Sequence, residues 1–182
     1  ATEIATRAHK GQTDKLGADY ISHPRRVHRN LTQHPKFKNL DALTREDLEV
    51  AALLHDVIED SGTNGSERFE KQDLLDLGFS ARSIRLVELL TRVDDVDKKT
   101  YYTEINNDVL AKLVKWADIA DNLNTNRVKG LDPLEKARLA QRYKDALEII
   151  KMDEEDAAWL QSAIDYDIEL EDVEDDAYED EG

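Results

Sequence analysis

The stretch Val50-Ala51-Ala52-Leu53-Leu54-His55-Asp56-Val57-Ile58-Glu59-Asp60 decides how this chain is read. Its apolar lead-in predicts a buried helix, and its last six residues bring two strong metal ligands and two further carboxylates. A continuous helix would set His55 above Glu59 and Asp56 above Asp60, four residues apart on one polar edge. Burying unpaired charge there is costly unless a cation or a partner offsets it. A metal ion meets that demand. Two more candidates complete a ligand set: His23 in Tyr20-Ile21-Ser22-His23-Pro24, and Asp118 in Lys115-Trp116-Ala117-Asp118. Two imidazoles and two carboxylates suit a borderline divalent ion such as Mn²⁺, Fe²⁺ or Zn²⁺, with positions left for water.

Working outward, the 182 residues fit one domain with a real core. Cysteine is absent, which excludes disulfides and thiolate metal sites, so His and carboxylate must hold any metal. No apolar run approaches a membrane span and no signal-peptide core opens the chain, so a soluble cytoplasmic protein is expected. The net charge of −16 is uneven. Residues 165–182 hold eleven of the 41 acidic residues and no Lys or Arg, so the rest of the chain is much nearer neutrality. That acidic tail is expected to be disordered beside a folded domain at 1–164, solubilising it or meeting a basic protein partner. Such acidity argues against binding duplex nucleic acid directly.

The remaining pattern is helical and orthogonally packed, with no alternating strand signal, and predicts an all-α domain. A helix is expected from Ala1 to about Gly11, and another from about Pro24 to Gln33. Thr44-Arg45-Glu46-Asp47 resembles a capping arrangement for the helix that runs into the metal-ligand stretch. Ser61 to Ser66 reads as a loop, Lys71–Leu77 as a short helix stopped by Gly78, and Ser80 as the cap of the next. There Ile84, Val87, Leu90 and Val93 recur at spacing three. Helices near Lys98–Asn106, from Asp108, from Asp132-Pro133 to about Met152, and over Glu154–Ile164 complete the domain, with Trp159 packing on its body. His9 reads as a residue that packs or supports the site from behind, and His28 and His34 as exposed.

With these blocks in view, the chain resembles the HD superfamily of metal-dependent phosphohydrolases, and within it the RelA/SpoT-type alarmone hydrolases. The resemblance rests on Ala8-His9-Lys10-Gly11-Gln12 and Lys15, on Asp19 to Pro24, on Ala51 to Asp60, and on Ala111 to Asp118 with Asn122. With no synthetase domain following, a small, stand-alone hydrolase is expected. The resemblance implies that His23, His55, Asp56 and Asp118 bind the metal, typically Mn²⁺. It implies that Glu59 and Asp60 act on the attacking water, and that Asn122 contacts the phosphorylated nucleotide substrate. The implied reaction removes the 3′-pyrophosphate of (p)ppGpp, giving GDP or GTP. Residue chemistry agrees, because a divalent ion acidifies its water while a nearby carboxylate takes the proton. Lys15, Lys10, Lys112 and Lys115 are candidates to neutralise phosphate.

Three positions depart from the family pattern. Asp14 stands where an arginine can stack on guanine, Ile119 where Arg or Lys is common, and Asn124 in place of an arginine. Each departure removes a cation useful to a guanosine polyphosphate, and Asp14 adds an opposing charge. Another phosphorylated nucleotide or an RNA 3′ end is therefore an alternative substrate. Neutralising a toxic alarmone synthetase as an antitoxin is an alternative role.

Overall fold

Most helices begin where the sequence supplies a side-chain acceptor for the unpaired N–H groups of a first turn. The computed structural model describes residues 1–63 and 65–167, and the expected disorder of the tail beyond them lies outside the described residues. Among those residues twelve helices and no strand occur, so the expected all-α architecture is found. In α7 (Ala81–Leu90), α8 (Lys98–Asn106) and α9 (Val109–Leu123), the caps are the Ser80, Asp97 and Asp108 side chains. Asp132 and Asp153 cap α11 (Pro133–Ile149) and α12 (Glu154–Ile164) in the same way. Between α6 (Lys71–Asp76) and α7, Gly78 takes φ 86°, a conformation that favours glycine and ends the shorter helix. No helix of the described residues is long and apolar enough to cross a membrane.

Three helices make the frame that positions the site. In α2 (Ser22–Gln33), Val27 and Leu31 are fully buried, and the helix packs against both α9 and α4 (Ala42–Leu54). α9 is buried nearly all round, from Ala111 and Leu113 through Asp121, which makes it the centre of the domain. α1 (Thr2–Ala8) lies on α4, whereas α7, α8 and α12 pack on other faces of α9.

Several local expectations change. α4 is capped by Asp41, not Thr44: the Asp41 carboxylate accepts from Thr44 N at 3.0 Å and Thr44 Oγ1 at 2.6 Å. Nor does α4 continue through Asp60. It ends at Leu54, and a separate turn, α5 (Val57–Asp60), follows. The cause is local, since His55 Nδ1 lies 2.8 Å from Ala52 O, the carbonyl a continuing helix would offer to Asp56 N–H. α7 stops at Leu90, so Val93 is exposed instead of extending the apolar stripe.

His34 is not exposed but wholly buried. Its Nδ1 accepts from Lys36 N, capping α3 (Pro35–Lys38), and its ring lies 4.4 Å from that of Trp159 and 5.9 Å from that of Trp116. This contact docks α12 on the body through Trp159, as expected for that residue. Beyond α12 the described residues stay attached: Asn124 Nδ2 donates to Tyr166 O, and Asn126 Nδ2 to Asp167 Oδ1.

Candidate active site

Each of the three frame helices delivers ligand-type side chains to one point. The first turn of α2 supplies His23, the break between α4 and α5 supplies His55 and Asp56, and the middle of α9 supplies Asp118. One ligand atom from each of His23, His55 and Asp118 lies within 4.8 Å of the others, and all three residues are buried. Asp56 joins them, its Oδ2 3.1 Å from His55 Nε2 and 3.5 Å from His23 Nε2. Tyr20 OH donates to that same oxygen at 2.6 Å.

The donor set fits a cation. His23 Nδ1 donates to Asp121 Oδ2 at 2.7 Å, because a carboxylate can only accept. His55 Nδ1 donates to the Ala52 carbonyl. Both rings thereby turn Nε2 toward the cluster, and His55 Nε2 is buried with no hydrogen-bond partner. An orphaned imidazole nitrogen among carboxylates is what a metal ligand looks like before it is engaged. Electrostatics agree. Burial would depress the imidazoles, yet Asp118, Asp121 and Asp56 hold His23 well above its usual range, and Asp56 with Asp118 raises His55. Burial opposes ionisation of the carboxylates as well, but their neighbours keep both far below ordinary values: His55 and His23 for Asp56, Lys115 and the histidines for Asp118. The cluster calls for positive charge at its centre, which a divalent ion would supply in place of protons.

Further partners fix Asp118. Lys115 Nζ donates to its Oδ2 at 2.7 Å, and Asn122 Nδ2 to its Oδ1 at 2.6 Å. A polar cavity of about 200 Å³ opens beside the cluster, and Glu59, Asp60 and Asn122 all line it. Glu59 Oε2 accepts from Arg92 N at 3.0 Å, and Asp60 Oδ2 from Gln12 Nε2 at 3.1 Å. The Glu59 carboxyl is raised by partial burial in the cavity wall; the Arg92 N–H opposes this, and the Asp56 and Asp60 charges add to it. His9 buttresses this edge, its Nδ1 2.8 Å from Gln12 Oε1 and its ring against Tyr20.

Not every candidate arrives here. Lys15 is mostly exposed, pairs with Glu135 and does not line the cavity. Lys10 is exposed, and Lys112 lies over the Trp116 ring. Of the four lysines, Lys115 reaches the site. The departures lie off the cavity too. Asp14 is buried against Arg127 and caps Leu16 N and Ala18 N, Ile119 is core, and Asn124 caps α10 (Thr125–Lys129).

Sequence reasoning missed Asp121, Arg92 and Arg142. Asp121 follows Asp118 by three residues and so shares its helix face, a signal that was available. It is almost wholly buried, and it also accepts from Arg26 and Arg127. Burial opposes its ionisation, but His23, Arg127 and Arg26 hold it down at about 2. Arg92 and Arg142 line the cavity from segments outside the recognised blocks.

A helical frame with a buried His–carboxylate cluster, and two further carboxylates lining its cavity, is the arrangement expected of a hydrolase of the HD type. Comparison with known proteins is more specific. The chain is 30% identical over 158 residues to the Homo sapiens guanosine-3′,5′-bis(diphosphate) 3′-pyrophosphohydrolase MESH1, covering 83% of this chain and 81% of that protein. It is 34% identical over 159 residues to a Vibrio cholerae protein named for the same activity, covering 80% of this chain but 19% of that longer protein. A solved structure described as a metazoan ortholog of SpoT that hydrolyzes ppGpp aligns with TM-score 0.68 and 22% identity, over 89% of this chain and 90% of that one, and shows the same fold. No family model matches the chain. The chain belongs to the family of guanosine-3′,5′-bis(diphosphate) 3′-pyrophosphohydrolases.

Proposed function

We propose that this chain hydrolyses (p)ppGpp at its 3′ position, releasing pyrophosphate and leaving GDP or GTP, with Mn²⁺ held by His23, His55, Asp56 and Asp118. The observation that carries this reading is the convergence of His23, His55 and Asp118 ligand atoms within 4.8 Å. It occurs in a chain whose relatives are named for that reaction. When bound, such an ion supplies Lewis acidity, making water more acidic and drawing charge from a phosphoryl oxygen.

The protein's own groups do the rest. Asp121 and the Ala52 carbonyl hold the two imidazoles with Nε2 facing inward. Asp60 and Glu59, on the turn directly after Asp56, take the proton of the attacking water. The raised Glu59 carboxyl suits a base that must also give its proton up. Gln12 restrains Asp60. The water oxygen bonds to the phosphorus on ribose O3′, the P–O3′ bond breaks, and O3′ takes up a proton. Asn122 commits its amide N–H to Asp118, leaving Oδ1 for the nucleotide.

The test is direct. Purified protein, Mn²⁺ and ppGpp should yield GDP and pyrophosphate in equal amounts by ion-exchange chromatography and phosphorus NMR. No pyrophosphate at stoichiometric protein would remove the reading. In a panel of 2′- and 3′-phosphorylated nucleotides, including adenosine forms and RNA 3′ ends, ppGpp should be turned over best.

A further inference from the structure

We propose that Arg142 and Arg92 form a clamp for the terminal phosphate of a diphosphate ester, so that the cavity selects a 3′-diphosphate over a 3′-monophosphate. The inference rests on the hydrolase reading above and names the residues that set its specificity. Both residues line the same cavity as the acid pair and Asp118, and neither has a carboxylate within 4.0 Å among the described residues. Arg26 and Arg127 are committed to Asp121, Arg82 to Asp47 and Arg85 to Asp108. The cavity's remaining cation, Lys115, is neutralised by Asp118. Two arginines that no carboxylate neutralises therefore line a polar space that the rest of the site makes strongly acidic, Arg142 meeting the Tyr102 hydroxyl. An anion is the complement they lack.

Their placement sorts the ends of the substrate. Arg92 follows α7 and its backbone N–H holds Glu59, so it stands on the side of the acid pair. Arg142 comes from α11, with its guanidinium carbon 5.3 Å from the centre of the Tyr143 ring. Tyr143 is itself buried, which gives Arg142 a fixed platform and limits the freedom it loses on binding. The two arginines reach the cavity from different parts of the chain, Arg92 from the segment after α7 and Arg142 from α11. On this proposal, a phosphate attacked at the cluster has its neighbouring phosphate held by them. Size supports the same end. At about 200 Å³ the cavity is smaller than the roughly 300–1,000 Å³ that encloses a drug-sized ligand, so it suits a diphosphate, with the nucleoside at the mouth. This also explains why Asp14, Ile119 and Asn124 need not be cationic. They cap, pair or pack away from the cavity, and α11 supplies charge instead.

The experiment compares wild type with Arg142→Met, Arg142→Lys and Arg92→Met, in two arms. In the first, kcat/KM is measured for guanosine 5′-diphosphate carrying either a 3′-diphosphate or a 3′-monophosphate. Arg142→Met should lower the preference for the diphosphate by about 10–100-fold, with Arg142→Lys recovering part of it. Equal loss on both nucleotides, or none, overturns the clamp. In the second arm, calorimetry at fixed Mn²⁺ reads binding of inorganic pyrophosphate and, separately, phosphate, with protein-free blanks for chelation. Either Met variant should weaken pyrophosphate at least tenfold and phosphate far less; unchanged pyrophosphate affinity overturns the proposal. If wild type turns over neither nucleotide, the hydrolase reading falls, and the calorimetric arm still decides the clamp. Arg142 is exposed, so matching melting curves are expected for its variants.

Discussion

His23 Nδ1 lies 2.7 Å from Asp121 Oδ2, and this single bond sets which ring nitrogen of His23 faces the cluster. Asp121 is held in turn by Arg26 and by Arg127, and Arg127 reaches on to Asp14. A carboxylate behind a ligating histidine fixes the tautomer and strengthens the ligand, and removing it typically costs 10–100-fold in metal affinity. Asp121→Asn keeps the volume and removes the charge. It should weaken Mn²⁺ binding by about that factor, read by electron paramagnetic resonance of free Mn²⁺. The loss should appear with no substrate present, so it is separable from any effect on turnover.

The acid pair and the proposed ligands should separate cleanly. Asp60 bonds Gln12 and lines the cavity, whereas Asp56 lies within 3.5 Å of both imidazoles. Asp60→Ala should lower kcat by about 10²–10⁴-fold, the range for a lost general base, while Mn²⁺ affinity changes only a few-fold. Asp56→Ala should lose the metal and the activity together. Calorimetric Mn²⁺ titration of both variants checks the contrast.

His34 gives the fold a response to acid. Its ring is buried between Trp116 and Trp159, with Asp156 3.5 Å away and Lys36 and Asp153 beside it. Burial lowers its pKa; the Asp156 charge opposes this, Lys36 adds to it, and Asp153 opposes it. The folded pKa is below the unfolded value near 6.5, so the unfolded chain binds the proton first and stability falls as pH drops below about 6.5. The loss ceases to grow once pH passes the folded pKa. His34→Asn keeps an acceptor for the α3 cap but cannot titrate. Urea unfolding at pH 7.5 and pH 5.5 should show a smaller acid loss for the variant than for wild type.

These residues also mark what the sequence disclosed. The helices were legible because their caps are local: Ser80, Asp97, Asp108 and Asp132 each bond N–H groups within three residues. The convergence of His23, His55, Asp56 and Asp118 was legible because metal chemistry restricts residue types and the family blocks carry their order. The break after Leu54 was not, because it depends on one imidazole competing for a backbone carbonyl. His34 looked exposed because its burial is created by Trp159, more than a hundred residues away. Arg142 escaped for the same reason: periodicity shows which face of α11 is apolar, not which cavity its edge meets.

Lys115 supplies the sharpest test of how charge is balanced. It is buried, and although burial would depress its amine, Asp118 holds it well above its usual range, 2.7 Å away. Lys115→Met leaves Asp118 with one cationic neighbour fewer. Breaking a buried pair costs about 3–5 kcal/mol when nothing replaces the lost charge. A divalent ion on the same carboxylate replaces it. The variant should therefore melt well below wild type in chelator and recover most of that deficit in Mn²⁺. Its Mn²⁺ affinity should rise, because a cation repelling the ion has gone. Phosphate-bearing ligands should bind less tightly. Equal melting deficits with and without Mn²⁺ would show that Lys115 acts by packing alone. Thermal denaturation in chelator and in saturating Mn²⁺, run on both proteins, distinguishes the two cases.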